Sequence, residues 1–284
     1  MTETMKEKIA IVASGGGMSC SYSAGAINAL ANYCRFFDPD IVIGGSGSTG
    51  ILTYYVSGQY WAITKIWGEY LSTKKFINKW RFWKLIDVDY LIDEIFGKHV
   101  RLNARAVMRS HIDLFIAATN YKTGELKYFS NKTMKDEEDI FDILRASKAM
   151  PIAFNKKIKI HGEKFCDSYL SSYPNAHIQK AIELGANNII LIDSRLGGGR
   201  NEAIFKVWLA AQSRAFKKNY NEQMREILDY KIPNNVNIIT IKRSSAFKVG
   251  TFDSKKEDLA KVIQMGHDDV VNSKEIKTML DRLR

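Results

Sequence analysis

The sequence predicts an α/β protein, a three-layer α/β/α sandwich around a mainly parallel central sheet. Three observations lead there. Short runs rich in Val and Ile alternate with longer helical patterns along the chain. The short runs are almost continuously apolar, as strands covered on both faces are. Two of them lead directly into glycine-rich turns that open helices.

The first strand is "KIAIVAS" (8–14), followed by the turn "GGG" (15–17) and a helical run. The second is "DIVIGG" (40–45), followed by "SGSTGIL". In "DVDYLIDE" (87–94) spaced acids lack the glycine of a calcium loop and read as the acidic first turn of a helix. "IDLFIAATN" (112–120) is a third strand. "KKIKIHGEKFCDS" (156–168) reads as a hairpin turning at "HGEK". Two more strands follow, "NNIILID" (187–193) and "VNIITIK" (236–242). Between them a single helix is predicted over 201–230, with Ile204, Trp208, Phe216, Tyr220, Met224 and Ile227 at roughly helical spacing. The last helix is placed from "SKKE", as a capping box of Ser254 and Glu257. No composition break or repeat divides the chain, so residues 1–284 are expected to form one domain.

Composition sets the outer bounds. Hydrophobic residues make up 45% of the 284, the level of an ordinary globular core. The net charge of +11 favours anionic partners without choosing among nucleic acid, acidic lipid or an anionic substrate. Cys20, Cys34 and Cys166 are too few and too scattered for a disulfide framework or a thiolate metal site. The five histidines show no metal spacing, and neither a metal nor a cofactor is expected. "MTETMKEK" is polar, no signal-like apolar stretch follows it, and no run is long enough to span a bilayer. A cytoplasmic location is expected, with room for peripheral contact with an anionic membrane. "KKFINKWRFWK" (74–84) bears on that contact, because it interleaves lysines and an arginine with Phe76, Trp80, Phe82 and Trp83. A helix with aromatic core contacts and a solvated basic face explains the same pattern more simply. Single-stranded nucleic acid would also suit it.

A glycine turn between strand and helix aims backbone N–H groups at whatever lies above the sheet edge. Three uses compete for the two turns here. A dinucleotide fingerprint fails because Cys20 stands where its third glycine belongs. A P-loop fails because Ile51 stands where its lysine belongs. A nucleophile elbow fits Ser48, with Gly47 before it and Gly50 two residues after, in the pattern S-G-S-T-G. Moving the register to Ser46 would put Ser48 in the place of the closing glycine, so Ser48 is preferred. Gly15, Gly16 and Gly17 would then supply backbone donors to an oxyanion.

At this point four landmarks in order resemble the patatin-like phospholipases: "SGGGMSCSYSAGAINAL", "GSGSTGIL", "RASKAMPIAF" (145–154) and "CDSYLSSYPNAHIQKAIELGA". The resemblance covers roughly residues 8–195. It implies a Ser48 nucleophile, Asp167 as its general base, and an oxyanion loop at Gly15, Gly16 and Gly17. It also implies hydrolysis of phospholipid or other lipid esters through an acyl-enzyme, by a Ser–Asp dyad without histidine and without calcium. The chain departs from the family pattern in three places. Ser19 and Cys20 replace Arg-Gly after the glycines, Ser46 replaces the elbow's first glycine, and Ser168 replaces the glycine after Asp167.

Competing readings follow from these residues. One is a patatin-like scaffold of blunted chemistry that binds lipid or a protein partner. Another is a basic nucleic-acid-binding protein, although no nucleic acid is expected as partner. A Ser-His-Asp triad would need His267, which lies in "QMGHDDVV" and reads as a surface residue of a helix.

Overall fold

A computed structural model describes residues 7–81, 84–154, 156–195, 200–244 and 248–282. Eight strands form one sheet: β1 (Ile9–Ala13), β2 (Ile41–Gly45), β3 (Asp113–Asn120), β4 (Leu126–Ser130), β5 (Ile158–Ile160), β6 (Glu163–Cys166), β7 (Asn188–Asp193) and β8 (Asn237–Lys242). Their order is β5-β6-β3-β2-β1-β7-β8, and β4 pairs only with β3. The pairs β1–β2, β2–β3, β1–β7 and β7–β8 are parallel. The pairs of β3 with β4 and β6, and of β5 with β6, are antiparallel. The mainly parallel sheet expected from the sequence is therefore present, with an antiparallel extension at one edge.

Alternation within the strands shows why they read as continuously apolar. Ile11, Ala13, Val42, Ile190 and Ile192 face one core, while Ala10, Val12, Ile41, Ile43, Ile189 and Leu191 face another. Successive side chains of a strand point to opposite faces, so a strand buried on both sides needs apolar residues at every position. The larger core lies under α1 (Ser21–Asn32), α2 (Ser48–Val56), α3 (Tyr60–Lys65), α4 (Ala104–Arg109), α5 (Glu137–Lys148) and a later helix, Lys256–Asn272. The smaller lies under α7 (Pro174–Glu183), which follows the single turn α6 (Tyr169–Ser172). Sheet order reverses at β1, whose neighbours are β2 and β7. In open α/β sheets the crevice beyond the strand C-termini at such a reversal is where ligands bind. The turns after β1 and β2 both end there.

Three local expectations are corrected. The single helix over 201–230 is two helices, α8 (Arg200–Ala210) and α9 (Arg214–Asp229). Ser213 separates them by accepting the Phe216 N–H as the N-cap of α9 (3.1 Å). Trp208, Phe216, Tyr220 and Ile227 still share one small core, whereas the Ile204 side chain lies outside the described residues. The final helical region is α10 (Lys256–Asn272) and α11 (Lys274–Arg282), and Lys255 caps α10 without a side-chain bond, so Ser254 and Glu257 form no capping box. Residues 74–81 form no helix but a series of turns beside an isolated bridge between Ile77 and Ile86. In it Phe76 is buried and Trp80 is 84% exposed, while Phe82 and Trp83 lie outside the described residues.

Candidate active site

Two turns and one hairpin end meet beyond the sheet. β2 stops at Gly45 and α2 begins at Ser48, leaving Ser46 and Gly47 to make the corner. Ser46 takes φ +56°, a left-handed conformation rare for a side-chain-bearing residue and strained wherever the surroundings impose it. The corner is held from outside: the Ser46 N–H donates to Ser147 Oγ (3.1 Å), and Ser147 Oγ donates to Ala117 O (2.6 Å). From the end of β6, the Asp167 carboxyl reaches the corner: it accepts a hydrogen bond from Ser171 Oγ (3.0 Å to Oδ1), and the Ser46 side chain is near enough to favour its charged form.

Ser48, the serine preferred from the sequence, lies elsewhere. It is fully buried in the first turn of α2, and its hydroxyl donates to Gly45 O (2.9 Å) and approaches Ala13 O (3.3 Å). The serine at the corner, beside Asp167, is Ser46, two residues ahead of Ser48. Its pattern is then G44-G45-S46-G47-S48, with Ser48 at the closing small-residue position. That position must be small because Gly44 and residue 48 cross closely; a Cβ on Gly44 would lie 2.7 Å from Ser48 Oγ. Serine is accommodated because its hydroxyl bonds to the backbone beneath it. Gly50 stays at the cleft wall, against Phe96.

The first glycine turn divides its labour. Gly15 N–H donates to Ser172 O (3.0 Å), so this amide is occupied; a Cβ on Gly15 would sit 2.9 Å from Ser46 Cβ. The absence of a side chain at Gly15 lets the backbone come close to the corner serine. Among the described residues, the N–H groups of Gly16, Gly17 and Gly47 have no acceptor. Gly16 and Gly17 have φ of +153° and +57°, a pairing that glycine adopts without penalty. A Cβ on Gly47 would lie 2.8 Å from Gly17 O, so the two turns are in contact.

The three departures from the family pattern each have a local account. Cys20 has φ −65°, which needs no glycine, and Ser19 Oγ donates to Gly16 O (2.7 Å), tying down the turn. Ser168 is extended at φ −126° and forms a capping box with Ser171 at the start of α6. Ser46 is the corner residue itself.

Burial dominates the electrostatics. It pushes the Asp167 acid up to about 7, against the nearby Ser46 side chain, the hydrogen bond from Ser171 and the attraction of Lys148. Lys148, at the end of α5, is 8% exposed; burial pulls its ammonium down to about 7, with Asp167 acting the other way. Its Nζ donates to Thr49 Oγ1, and Thr49 Oγ1 donates to Ser46 O (2.8 Å). Sequence reading passed over Lys148 and Thr49, although "RASKAMPIAF" sets a lysine among apolar neighbours. Burial also raises the Cys20 thiol to about 12, so it is a core group and not a thiolate.

Ser46, Gly47, Lys148 and Asp167 line a cleft of about 650 Å³, counting space open to solvent. Its far wall is apolar and comes from residues 63–96, among them Ile63, Trp67, Leu71, Phe76 and Phe96. Among the described residues no histidine hydrogen-bonds to Ser46 or Ser48: His267 pairs with Asp268, His161 with Asp139, His111 with Asp38 and His177 with Tyr128, and His99 stacks on Tyr70. Among the described residues no group of three or more His, Cys, Asp or Glu is placed to hold a metal ion.

Fold and site together define an α/β protein with a serine on a strand–turn–helix corner, a buried carboxyl beside it and an apolar cleft above. A family model described as patatin-like phospholipase matches residues 11–178, more than half the chain, and the chain belongs to that family. A curated relative, the uncharacterized protein YjjU of Escherichia coli, is 23% identical over 191 residues, covering 65% of this chain and 51% of that protein. Among solved structures, VipD from Legionella pneumophila is similar with TM-score 0.52 and 12% identity, over 94% of this chain and 66% of that one. Human GIVD cytosolic phospholipase A2, solved with methyl γ-linolenyl fluorophosphonate, is similar with TM-score 0.55 and 13% identity, over 100% of this chain and 59% of that one. The chain thus spans about half the length of the curated relative and no more than about two thirds of these solved ones.

Proposed function

We propose that the protein hydrolyses carboxylic esters of lipids with Ser46 as nucleophile and Asp167 as general base. The observation that carries this is a serine at a left-handed strand–helix corner with the buried Asp167 carboxyl beside it, close enough for the Ser46 side chain to act on its acid. As Ser46 Oγ bonds to the ester carbonyl carbon, Asp167 takes its proton. The amides of Gly16, Gly17 and Gly47, free of other acceptors, suit the oxyanion that forms. Collapse breaks the bond to the alcohol, which leaves with the proton from Asp167. Water then attacks the acyl-enzyme, giving its proton to Asp167, and the acid departs as Ser46 regains a proton. The apolar wall from residues 63–96 suits an acyl chain. The test is hydrolysis of p-nitrophenyl butyrate and of an oleoyl lysophospholipid. Turnover that disappears in Asp167→Asn, with an unchanged unfolding temperature, supports the reading; turnover that persists in that variant sinks it.

Contact with an anionic lipid surface is part of the same reading. Trp80 stands exposed on the segment that also supplies Phe76 and Ile77 to the cleft wall. Lys74 and Lys75 are exposed beside it, while Arg81 and Lys84 are engaged with Asp87 and Asp89. An exposed indole next to cations fits the headgroup region of an anionic bilayer. Among the described residues no helix is long and apolar enough to cross a membrane.

A further inference from the structure

Lys148 is costly where it stands. It is more than nine-tenths buried, carries three N–H donors, and has one hydrogen-bond partner among the described residues, the Thr49 hydroxyl. It forms no ion pair there. Asp167, the acid that acts on it electrostatically, accepts its hydrogen bond from Ser171 Oγ. Tyr54, another polar group of the cleft, donates its hydroxyl to Val100 O. The Gly50 position lies against Phe96 and Lys148 Cε, and Met18, Ile51 and Met150 also line the cleft. A buried ammonium with unmet donors is normally compensated by a partner, and no residue described here provides one.

We propose that Lys148 is an anion subsite of the cleft, which holds the charged head of a single-chain lipid anion while the chain lies along the apolar wall. It deepens the lipid-hydrolase reading and rests on that reading for the chain's place in the cleft. The link Lys148–Thr49–Ser46 O puts the ammonium about two hydrogen bonds from the corner serine's carbonyl, so the anion would sit close to the ester. Two sources share this chemistry: the phosphate of a lysophospholipid, on the alcohol side of the ester, or the carboxylate of the released fatty acid. Its depressed ammonium fits such a role, because an arriving anion favours the protonated form and turns an unfavourable buried charge into a paired one.

The test measures binding, so that it stands apart from turnover. Ser46→Ala protein, unable to use the proposed nucleophile, is titrated calorimetrically below micelle-forming concentrations. One arm compares 1-oleoyl lysophosphatidic acid with 1-oleoylglycerol; the other compares oleate with oleyl alcohol. A preference for the anion of at least about tenfold is expected in one arm or both, the size of a charge-assisted contact. Adding Lys148→Met should bring that preference to within about twofold, and adding Lys148→Arg should retain most of it. The arm that shows the effect identifies the source. Methionine in place of a buried ammonium should leave the unfolding temperature unchanged or raise it, which separates lost binding from lost folding. Equal binding of anion and neutral partner, no binding of either, or a preference that survives Lys148→Met would overturn the proposal. So would a Lys148→Met variant whose only change is a displaced pH–rate profile, since Lys148 would then act solely through Asp167. Hydrolysis by the unaltered chain is scored separately: binding preference without turnover keeps the subsite and removes the hydrolase reading, and turnover without preference does the reverse.

Discussion

Replacing each serine of the corner in turn separates catalysis from packing. Ser46→Ala removes the hydroxyl that faces Asp167 and should cost little stability, since Ala and Ser tolerate φ +56° similarly. If Ser46 is the nucleophile, kcat should fall by about 10⁴- to 10⁶-fold, the range in which nucleophile deletions in serine hydrolases lie. Ser48→Ala should show the opposite signature. Its hydroxyl has one proton, given to Gly45 O at 2.9 Å with Ala13 O at 3.3 Å, so one buried hydrogen bond is lost. That costs about 1 kcal/mol, or about 2–4 °C in unfolding temperature for a chain of this order of size. Its kcat should stay within about threefold of the unaltered protein, because no catalytic contact changes. Both variants are assayed with p-nitrophenyl butyrate and melted by circular dichroism. A dead but fully stable Ser48→Ala protein, beside an active Ser46→Ala one, would refute the reasoning.

Three other outcomes are expected. With Asp167 pushed up to about 7, the base is ionised only above that pH, so kcat/KM should fall about tenfold per unit below it. Lys148→Met removes a positive charge that favours the carboxylate, so this limb should move to higher pH; a limb that moves to lower pH would contradict the sign. Gly17→Ala places a Cβ 2.5 Å from Thr251 Cγ2 at φ +57°, which should displace the adjoining amides and lower kcat by about 10²-fold with KM little changed. Trp80→Ala should weaken sedimentation with phosphatidylglycerol vesicles by several-fold, roughly 1 kcal/mol, while hydrolysis of a water-soluble ester is unaffected. Unchanged sedimentation would remove Trp80 from the lipid contact.

Much of the fold was legible because burial on both faces leaves a local trace. The five strand runs coincide with β1, β2, β3, β7 and β8 to within a residue or so; β1, β2 and β7 are buried at every position, whereas the edge strand β8, mostly exposed or half-buried, is marked by its isoleucines. β4 was not read because "LKYFS" is only half-buried at every position and lacks that trace. The break between α8 and α9 was hidden because Trp208 and Phe216 keep a helical interval across it, while Ser213 acts through a cap that the hydrophobic pattern does not register. The misplaced start of α10 is of another kind: Asp253 accepts the Gly250 N–H and pairs with Lys79, which holds the preceding turn in place without a box.

The site was legible in its parts and ambiguous in its register. Both Ser46 and Ser48 lack one glycine of the elbow pattern, so composition at the turn does not separate them. What separates them is non-local: Ser147 on α5 fixes the Ser46 amide, and Asp167 on the β6 hairpin meets its hydroxyl. Lys148 escaped for a similar reason. A lysine near a helix C-terminus reads as a solvated charge, and its burial comes from contacts distant in the chain, with Thr49 and Gly50 of α2 against it.

Covalent labelling with a fluorophosphonate probe, followed by peptide mapping, tests the central claim most directly. The account predicts a single adduct on Ser46, lost in Asp167→Asn and retained in Ser48→Ala. An adduct on Ser48, or no adduct on a folded protein at pH 8, would contradict it.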